Sequence, residues 1–487
     1  MVKRFLLTKY GTNRIVRTIA ISIACSLTLL PAIASNMANE WTPPISISAQ
    51  LVGPSQLPNI AHDSEGRLHV SWVEKSYVER GEADAVYYSY FDGNTWSYPV
   101  DVLVSPDQGN IVTGELVALP SDKLALLWIG ANHLQFSQVF IGDAQRANAW
   151  KTTTLFPWLL ARTGFMYFSP PTTLHVLLVG DVQNEVIYSQ STDSGNTWMD
   201  PVTVWSPQSN SYAGNDPRLC IDDAGLYLHA VWHENARDLD WNPNGIWYSR
   251  SEDQGHTWSD AEFLANRGSS PNCAYDGDGR LHMLWNNAVG SVDGRYHRWS
   301  TDEGYTWSDP VPIFPGLSGR TRAPALRRDG SGTLHVLTGA MFDGATRMLW
   351  SYWQDENWTS PQSISDDLVS NESPDLTVTS GNTLNAVWHY GNDDMSQIWF
   401  AAFQTDVPSK IESAESEPLM RLPLAPTEVP APTPSPLPLP TQPPPPLDSL
   451  PDIDSNPAVH PLVVGVLPVL GLLAVVLGWR ITRTRRF

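Results

Sequence analysis

The chain has 487 residues, with 51 Asp and Glu against 30 Lys and Arg, which gives a formal net charge of −21 at pH 7. A protein this acidic is not expected to bind nucleic acid or other polyanions by general electrostatic attraction. Its 21 tryptophans suit the packing of many short strands and equally the stacking of sugar rings.

Residues 1–34 are predicted to be a secretory signal peptide. Lys3 and Arg4 belong to a basic leading region, Ile19–Leu30 is apolar, and Ala32-Ile33-Ala34 supplies a cleavage motif of small residues. An uncleaved N-terminal anchor is the alternative. With a cleaved signal, residues 35–405 form an exported body.

A turn pattern, S-x-D-x-G-x-T-W, occurs three times in this body. It fits a tight β-hairpin in which Asp accepts backbone hydrogen bonds, Gly supplies a positive φ and Trp begins the next strand. The predicted structural residues are Asp193, Gly195 and Trp198, then Asp253, Gly255 and Trp258, then Asp302, Gly304 and Trp307. Incomplete copies of the pattern occur at Asp92–Trp96 and Asp355–Trp358, which indicates a structural rather than a catalytic motif.

A second pattern, a strand of the type Leu-His-x-x-Trp, alternates with the turns. Its copies begin at Leu68, Leu124, Leu174, Leu228, Leu281, Leu334 and Leu384. Most are preceded by a short strand that opens with proline, so each repeat reads as four antiparallel strands, the plan of a propeller blade. The recurring histidines (His69, His175, His229, His282 and His335) lie on separate blades, and we assign them to packing and hydrogen bonding.

The repeats therefore predict an all-β, seven-bladed β-propeller of four-stranded antiparallel blades. The last repeat ends at Ile398-Trp399-Phe400 without a turn, and the segment around Trp41 resembles the strand that follows such turns. We expect this N-terminal strand to complete the last blade and close the ring. Six blades is the alternative, if the degenerate second repeat is discarded.

The turn pattern resembles the Asp box, the bacterial neuraminidase repeat of sialidase-like β-propellers. The resemblance covers roughly residues 40–403 and implies a site with three arginines, a Tyr–Glu nucleophile pair and an acid/base Asp. The family's first arginine is absent from Gln56-Leu57-Pro58, and the nearest match is Arg322 in the sixth repeat. No second or third arginine is evident on a matching strand, so the resemblance predicts the fold more securely than the activity.

A ligand site is expected on the face opposite the turns, where the loop between the second and third strands of each blade meets the connections between blades. Glu115 and Arg162 are among the residues of these connections. No catalytic residue is assigned, although a carboxylate pair such as Glu74 with Asp216 or Glu234 would suit a glycoside hydrolase. The candidate ligand-binding residues are Arg322, Asp216, Glu74, His233, Glu234, Arg237, Trp241, His389 and Tyr390.

Cysteine usage predicts neither a metal site nor a disulfide framework. Cys220 and Cys273 occupy matching positions in consecutive repeats, so they are either bridged or two buried thiols. We expect no cofactor and no metal, with calcium left open by acidic turns such as Asp276–Asp278.

The C-terminal part is predicted to tether the body to a membrane. Residues 406–460 are rich in proline and form an extended stalk, and residues 461–480 form a transmembrane helix around the apolar run Leu462–Trp479. The arginines of residues 481–487 give a basic tail that stays cytoplasmic.

Together these features predict a single-pass cell-membrane protein, monomeric, with its propeller outside the cytoplasm. The leading hypothesis is a module that recognises a glycan or a protein ligand. The alternative is a glycoside hydrolase of the exo-sialidase type, and the second alternative is a scaffold for envelope assembly.

Overall fold

The computed structural model describes residues 40–405, apart from residues 52, 77–82, 107–108, 113, 288–293, 315–316, 318–321, 343–344, 366–370, 381 and 393–394. The predicted signal peptide, stalk, transmembrane helix and cytoplasmic tail lie outside the described residues. Within the part of the chain that is described, no helix is both long and apolar enough to cross a bilayer.

Seven antiparallel sheets of four strands form the blades of a propeller, and the six-bladed alternative is wrong. The first blade consists of strands Ser55–His62, Leu68–Glu74, Ala85–Phe91 and Val100–Val104, and the second of Gly114–Leu119, Lys123–Gly130, His133–Phe140 and Lys151–Thr154. The third consists of Ala161–Ser169, Thr173–Gly180, Val186–Ser191 and Val202–Trp205, and the fourth of Tyr212–Ile221, Leu228–Ala236, Asn242–Ser251 and Glu262–Asn266. The fifth blade consists of Gly268–Tyr275, Leu281–Asn287, Gly294–Ser300 and Val311–Pro312, and the sixth of Ala325–Arg328, Leu334–Phe342, Ala345–Gln354 and Gln362–Ser363. The seventh consists of Asn371–Thr379, Thr383–Asn392, Met395–Gln404 and Ile45–Ser46.

Between its third and fourth strands, the sixth blade also carries a two-residue strand, Asn357–Trp358, which pairs with the third strand. The described residues also include three short 3-10 turns, at Ile141–Asp143, Ala147–Ala149 and Arg237–Leu239. The first strand of each blade from one to six, and Asn371–Thr379 in the seventh, is the inner strand.

The N-terminal segment closes the ring, as the sequence predicts. Ile45 and Ser46 pair with Phe400 and Trp399 of the last blade, so the two ends of the propeller share one sheet. Trp41 adds a bridge to Phe403, whose ring lies 5.5 Å from its own. Because of this pairing, the outer edge of strand Met395–Gln404 in the last blade is hydrogen-bonded rather than exposed.

The second strand of each blade forms the core, because it is covered by two strands of its own sheet and by the adjacent blades. Strand Leu228–Ala236, for example, is buried at all positions but one. The repeated tryptophans of these strands are almost wholly buried: Trp72, Trp232, Trp285 and Trp388.

The recurring histidines are buried hydrogen-bonding residues, which confirms the predicted role. Nδ1 of each of three histidines lies 2.7 Å from a tyrosine hydroxyl of the adjacent strand, in the pairs His69–Tyr88, His175–Tyr188 and His229–Tyr248. Burial lowers the pKa of His175 to about 4, so the ring is neutral at physiological pH.

The three intact turns have one geometry. Asp253 Oδ1 accepts hydrogen bonds from the Ser251 hydroxyl and the Thr257 amide, both at 2.8 Å, and its Oδ2 accepts one from the Thr257 hydroxyl at 2.6 Å. Gly255 has a φ of 90° and donates its amide to Ser251 Oγ. The turns at Asp193 and Asp302 repeat these contacts.

Each intact turn packs on an aromatic ring of the preceding blade. Trp258 lies 5.2 Å edge-on from Tyr188, and a Cβ added to Gly255 would overlap the same tyrosine. Trp307 and Gly304 meet Tyr248 in the same way, and Trp198 and Gly195 meet Phe136. The turn glycine is therefore needed for its backbone conformation and for close approach between blades.

A disulfide joins adjacent inner strands. Cys220 of the fourth blade is bonded to Cys273 of the fifth, with 5.8 Å between the two Cα atoms. Of the two alternatives left by the sequence, the structure shows the bridge.

Replacement of Gly255 by alanine is expected to cost about 2 to 4 kcal/mol, of which about 1 to 2 kcal/mol is left-handed backbone strain and the rest displacement of Tyr188. Gly225 is the matched control, because it also has a positive φ (69°) but a Cβ there would meet nothing within 4 Å. Gly225→Ala should cost about 1 kcal/mol. Urea unfolding followed by tryptophan fluorescence measures both, and equal losses would contradict the packing role.

Candidate functional site

The inner strands bring one residue from each of the seven blades to the propeller axis. The seven residues share one register position, opposite the fourth residue of the Leu-His-x-x-Trp pattern in the neighbouring second strand. They are Asn59, Glu115, Phe165, Arg218, Asn272, Ala325 and Asp375, and all line a cavity of about 210 Å³, which we call the central pit. Although the scaffold repeats, these side chains differ, so the pit has a specific chemistry.

A repeated backbone bulge shapes the mouth of the pit. In four blades the residue before the inner-strand proline has a positive φ, between 42° and 54°, and the strand register shifts there: Leu57, Asp216, Ser270 and Ser373. Non-glycine residues in this conformation are costly and cluster at functional sites. The bulge turns Asp216 toward the pit while the residue after Pro217 still faces the axis.

Three arginines in the pit form no ion pair with any described residue: Arg162, Arg218 and Arg322. Arg162 donates to the Gly214 carbonyl at 2.8 Å and to Asn184 Oδ1 at 3.3 Å. The guanidinium of Arg218 lies over the Phe165 ring, 5.0 Å from its centroid. Both guanidinium groups are thus held by neutral groups, and neither forms an ion pair with a described residue.

Arg322 stands exposed at the mouth of the pit, and its backbone rather than its side chain is fixed. The buried Arg295 donates a 2.8 Å hydrogen bond to the Arg322 carbonyl. Expectation and structure differ here, because the sequence indicated no second or third arginine beside Arg322. The ring geometry brings Arg162 and Arg218 to the same cavity.

A fourth arginine of the pit is paired within the scaffold. Arg327 donates to Asp375 Oδ1 at 3.1 Å, and Asp375 Oδ2 accepts the Ile60 amide at 2.9 Å. Asp375 therefore joins the sixth, seventh and first blades at the axis. We assign this pair to ring cohesion.

Two further carboxyl groups of the pit have opposite pKa shifts. Burial raises the pKa of Glu115 to about 8, against the opposing influence of Arg218. Partial burial would also raise the pKa of Asp216, but His233, Arg218, Arg322 and the Ser270 hydroxyl hold it below its ordinary value. At neutral pH the pit thus contains a protonated and an ionised carboxyl group.

A second cavity adjoins the central pit through Asp216 and Arg322. This side pocket, of about 370 Å³, also contains His233, Trp241 and Glu372. The Ser270 amide donates to His233 Nδ1 at 3.2 Å, and burial lowers the pKa of His233. The ring is therefore neutral, with Nδ1 occupied as an acceptor and the proton on Nε2.

The structure brings four of the nine candidate ligand-binding residues together at these two cavities: Arg322, Asp216, His233 and Trp241. Glu74 instead accepts the Ser55 hydroxyl at 2.7 Å, and Glu234 accepts the Asn244 amide at 2.6 Å. Burial raises the pKa of both carboxyl groups. Since alternate side chains of a strand point to opposite faces, His233 reaches the pocket and Glu234 does not.

The remaining three candidates also line neither cavity. Arg237 is exposed on its 3-10 turn, His389 is buried, and Tyr390 packs against Trp399 at 4.5 Å between ring centroids.

Arg218 and Asp375 were not singled out from the sequence, although a signal for them exists. Each directly follows an inner-strand proline, so an alignment of the repeats on proline would have placed both at the axis. Glu115 and Arg162 were named only as connection residues, and the pKa of Glu115 depends on a burial that sequence does not reveal.

Metal binding has no obvious site in the part of the chain that is described. No group of three or more His, Cys, Asp or Glu side chains is placed there to hold an ion. The acidic turn at Asp276 is occupied by its own contacts, because Oδ1 accepts the Asp278 and Arg280 amides.

Comparisons with known proteins show the fold. No protein-family model and no curated protein sequence matches the chain. An ulvan lyase structure is similar over 71% of this chain and 94% of its own, at 10% identity and a TM-score of 0.52. A sialidase from Streptococcus pneumoniae is similar over 77% of this chain and 70% of its own, at 11% identity and a TM-score of 0.43.

A protein of unknown function from Dyadobacter fermentans is similar over 74% of this chain and 98% of its own, at 12% identity and a TM-score of 0.49. Identities this low show a shared propeller fold and no shared activity.

The raised pKa of Glu115 makes a pH-dependent stability prediction. Between its ordinary value of 4.5 and about 8, the folded protein keeps a proton that the unfolded chain releases, so stability falls as pH rises through this window. Glu115→Gln should therefore raise Tm at pH 9 and leave it unchanged at pH 4. The exposed Glu262→Gln is the control, and a Tm difference for Glu115→Gln that is independent of pH would contradict the shift.

Proposed function

We propose that this chain is a recognition module for glycans that carry carboxylate groups, built on an Asp-box propeller of the sialidase-like superfamily. The observation that carries the proposal is the convergence of Arg162, Arg218 and Arg322, none of them ion-paired with a described residue, on one cavity. A planar guanidinium binds a carboxylate through two parallel hydrogen bonds, and a partly buried cation gains most from an anionic partner.

The charge distribution supports an anionic ligand despite the acidic chain. Four arginines and three carboxyl groups line the pit among the described residues, and Glu115 is neutral at pH 7. The pit is therefore locally positive inside a negatively charged protein. Acidic surroundings repel nonspecific polyanions, so binding would be confined to ligands whose carboxylate reaches the arginines.

We further propose that the propeller is displayed outside the cytoplasm. The signal peptide, proline-rich stalk, transmembrane helix and arginine-rich tail indicated by the sequence support a single-pass anchor with the propeller outside. A monomer would suffice for recognition, because the seven blades of one chain complete the cavity.

Recognition is favoured over sialidase chemistry by the residues of the pit. A sialidase-like nucleophile would require a tyrosine and a glutamate beside the arginines, and no tyrosine lies among the described residues of the central pit. Among the described residues, the short Tyr–Glu contacts Tyr275 with Glu303 and Tyr305 with Glu252 belong to the face that carries the Asp-box turns.

A sugar-cleaving enzyme is the second candidate, and the opposite pKa shifts of Glu115 and Asp216 favour it. A neutral acid and an ionised carboxylate in one cavity are the usual division of roles in glycoside hydrolysis. Glu115 would donate the proton and Asp216 would act as base or nucleophile. A protein ligand or an envelope scaffold would not require these two groups.

The binding proposal is tested with the full-length chain in mild detergent, titrated calorimetrically with galacturonic, glucuronic and N-acetylneuraminic acids and with neutral galactose and glucose. We expect at least one acidic sugar to bind and the neutral sugars not to bind. Arg322→Ala should weaken binding by about tenfold or more, because a charge-assisted bidentate contact is lost. The control Arg146→Ala removes a 71% exposed arginine far from the pit and should change nothing.

Binding of neutral sugars with equal affinity, or of none of the acids, would contradict the proposal. Fluorogenic glycosides of the same sugars test the second candidate. Turnover that is abolished by both Glu115→Gln and Asp216→Asn would establish an enzyme, whereas binding without turnover supports a recognition module.

A further inference from the structure

Exposed apolar side chains extend from the pit across the third and fourth blades. Trp158 is 74% exposed, Val182 is 72% exposed and Trp241 is 45% exposed. Trp158 precedes the inner strand of the third blade, and the other two lie in loops between second and third strands, so all three belong to the face that contains the pit. We call this set, two tryptophans and one valine, the aromatic lip.

Trp241 is held in place by a strained loop tip. Asp240 and Trp241 have φ values of 55° and 59°, and the Trp241 amide donates to the Ala236 carbonyl at 2.9 Å. Asn242 Nδ2 closes the turn on the Leu239 carbonyl at 2.6 Å. Two consecutive left-handed residues are costly, and here they display an indole at the edge of the side pocket.

Trp158 is displayed by a second, independent turn. Phe156 has a φ of 49°, and its carbonyl accepts the Leu159 amide at 2.8 Å. The buried Phe156 ring lies 6.0 Å edge-on from Trp158 and supports it from below. The exposed indole therefore has a defined position without being covered.

Hydrogen bonds connect this lip to the arginines of the pit. The Asp181 amide donates to the Leu160 carbonyl, which ties the loop of Trp158 to the loop of Val182. The Gly214 amide donates to the Asn184 carbonyl, and Arg162 bonds both of those residues. Arg162 thus belongs to the pit and to the base of the lip, so the two form a continuous surface.

We propose, on the basis of the proposed function, that the pit and the aromatic lip form one binding groove for several consecutive units of an acidic polysaccharide. One carboxylate-bearing unit occupies the pit, and neighbouring units stack on Trp241 and on Trp158. A site for a single terminal sugar would need the pit alone, and two separately positioned indoles outside it would serve no purpose.

The chemistry of the lip suits sugars more than an apolar protein partner. Its rings are separated by polar residues such as Asp181, Asp240 and Asn242, which can bond hydroxyl groups beside a stacked pyranose. A protein hot spot would instead be a contiguous apolar patch surrounded by a rim.

The test compares chain lengths. The full-length chain in mild detergent is titrated with oligogalacturonides, hyaluronan oligosaccharides and α2,8-linked oligosialic acids, each from its shortest unit to the hexamer or longer. Affinity should rise by about tenfold or more from the shortest to the longer members of at least one series, since each stacked ring adds binding energy. Trp158→Ala should reduce this gain and leave the affinity for the shortest unit unchanged, and Trp241→Ala should reduce the gain as well.

Phe140→Ala is the matched control, because Phe140 is 58% exposed and ends a strand on the opposite face. Equal affinity for short and long members would overturn the extended groove while leaving acidic-sugar recognition intact. Failure of every acidic sugar to bind would overturn both proposals. Loss of affinity for the shortest unit in Trp158→Ala would also overturn the groove, because this part of the lip would then act on the pit.

Discussion

The contact between each turn and the preceding blade is the interaction on which the structure depends. In the intact copies, the turn glycine approaches a tyrosine or phenylalanine so closely that no other residue fits, and the turn tryptophan covers the same ring. A buried strand histidine fixes the tyrosine hydroxyl from behind. The blades therefore meet at a set spacing, and that spacing fixes how far apart the seven inner strands stand around the axis.

The pit follows from this spacing because each blade contributes one axial side chain. The residues that repeat from blade to blade stabilise the fold, whereas the axial residues, which differ from blade to blade, are available for recognition. Trp, His and turn residues recur because the blades must pack, whereas Glu115, Arg218 and Asp375 occupy equivalent positions with different chemistry. Two of the axial residues link neighbouring blades: Asp375 binds the Ile60 amide and Arg327, and Asn272 donates to the Pro324 carbonyl. Arg218 and Arg322 influence Asp216 without forming an ion pair with a described residue, so their guanidinium groups can still bind a ligand.

Periodicity in the sequence predicts the blades, the strand order and the closure through Trp41, because each is inferred from a recurring motif of residues that are close together in the chain. The axial side chains are harder to predict from the sequence, since the direction in which each one points depends on a backbone bulge. Asp216, with a φ of 42°, precedes Pro217, and the register shift there decides that both Asp216 and Arg218 reach the pit. Likewise, His233 and Glu234 are adjacent in sequence, but strand alternation sends only His233 to the site. The cavity shared by Arg162, Arg218 and Arg322 is a long-range property that no local pattern contains.

The placement of tyrosines constrains the chemistry that this propeller can perform. Attack on an anionic sugar is easier for a neutral phenol than for a carboxylate, because the carboxylate is repelled by the charge of the substrate. The contact of Tyr275 with Glu303 has this composition, but Tyr275 ends its inner strand at the turn face, whereas the arginines stand where the inner strands begin. A ligand whose carboxylate is bound by Arg218 and Arg322 would share the pit with the carboxyl groups of Glu115, Asp216 and Asp375. Glu115 is neutral and can approach the anion without repulsion, so binding is compatible with the pit whether or not a bond is cleaved.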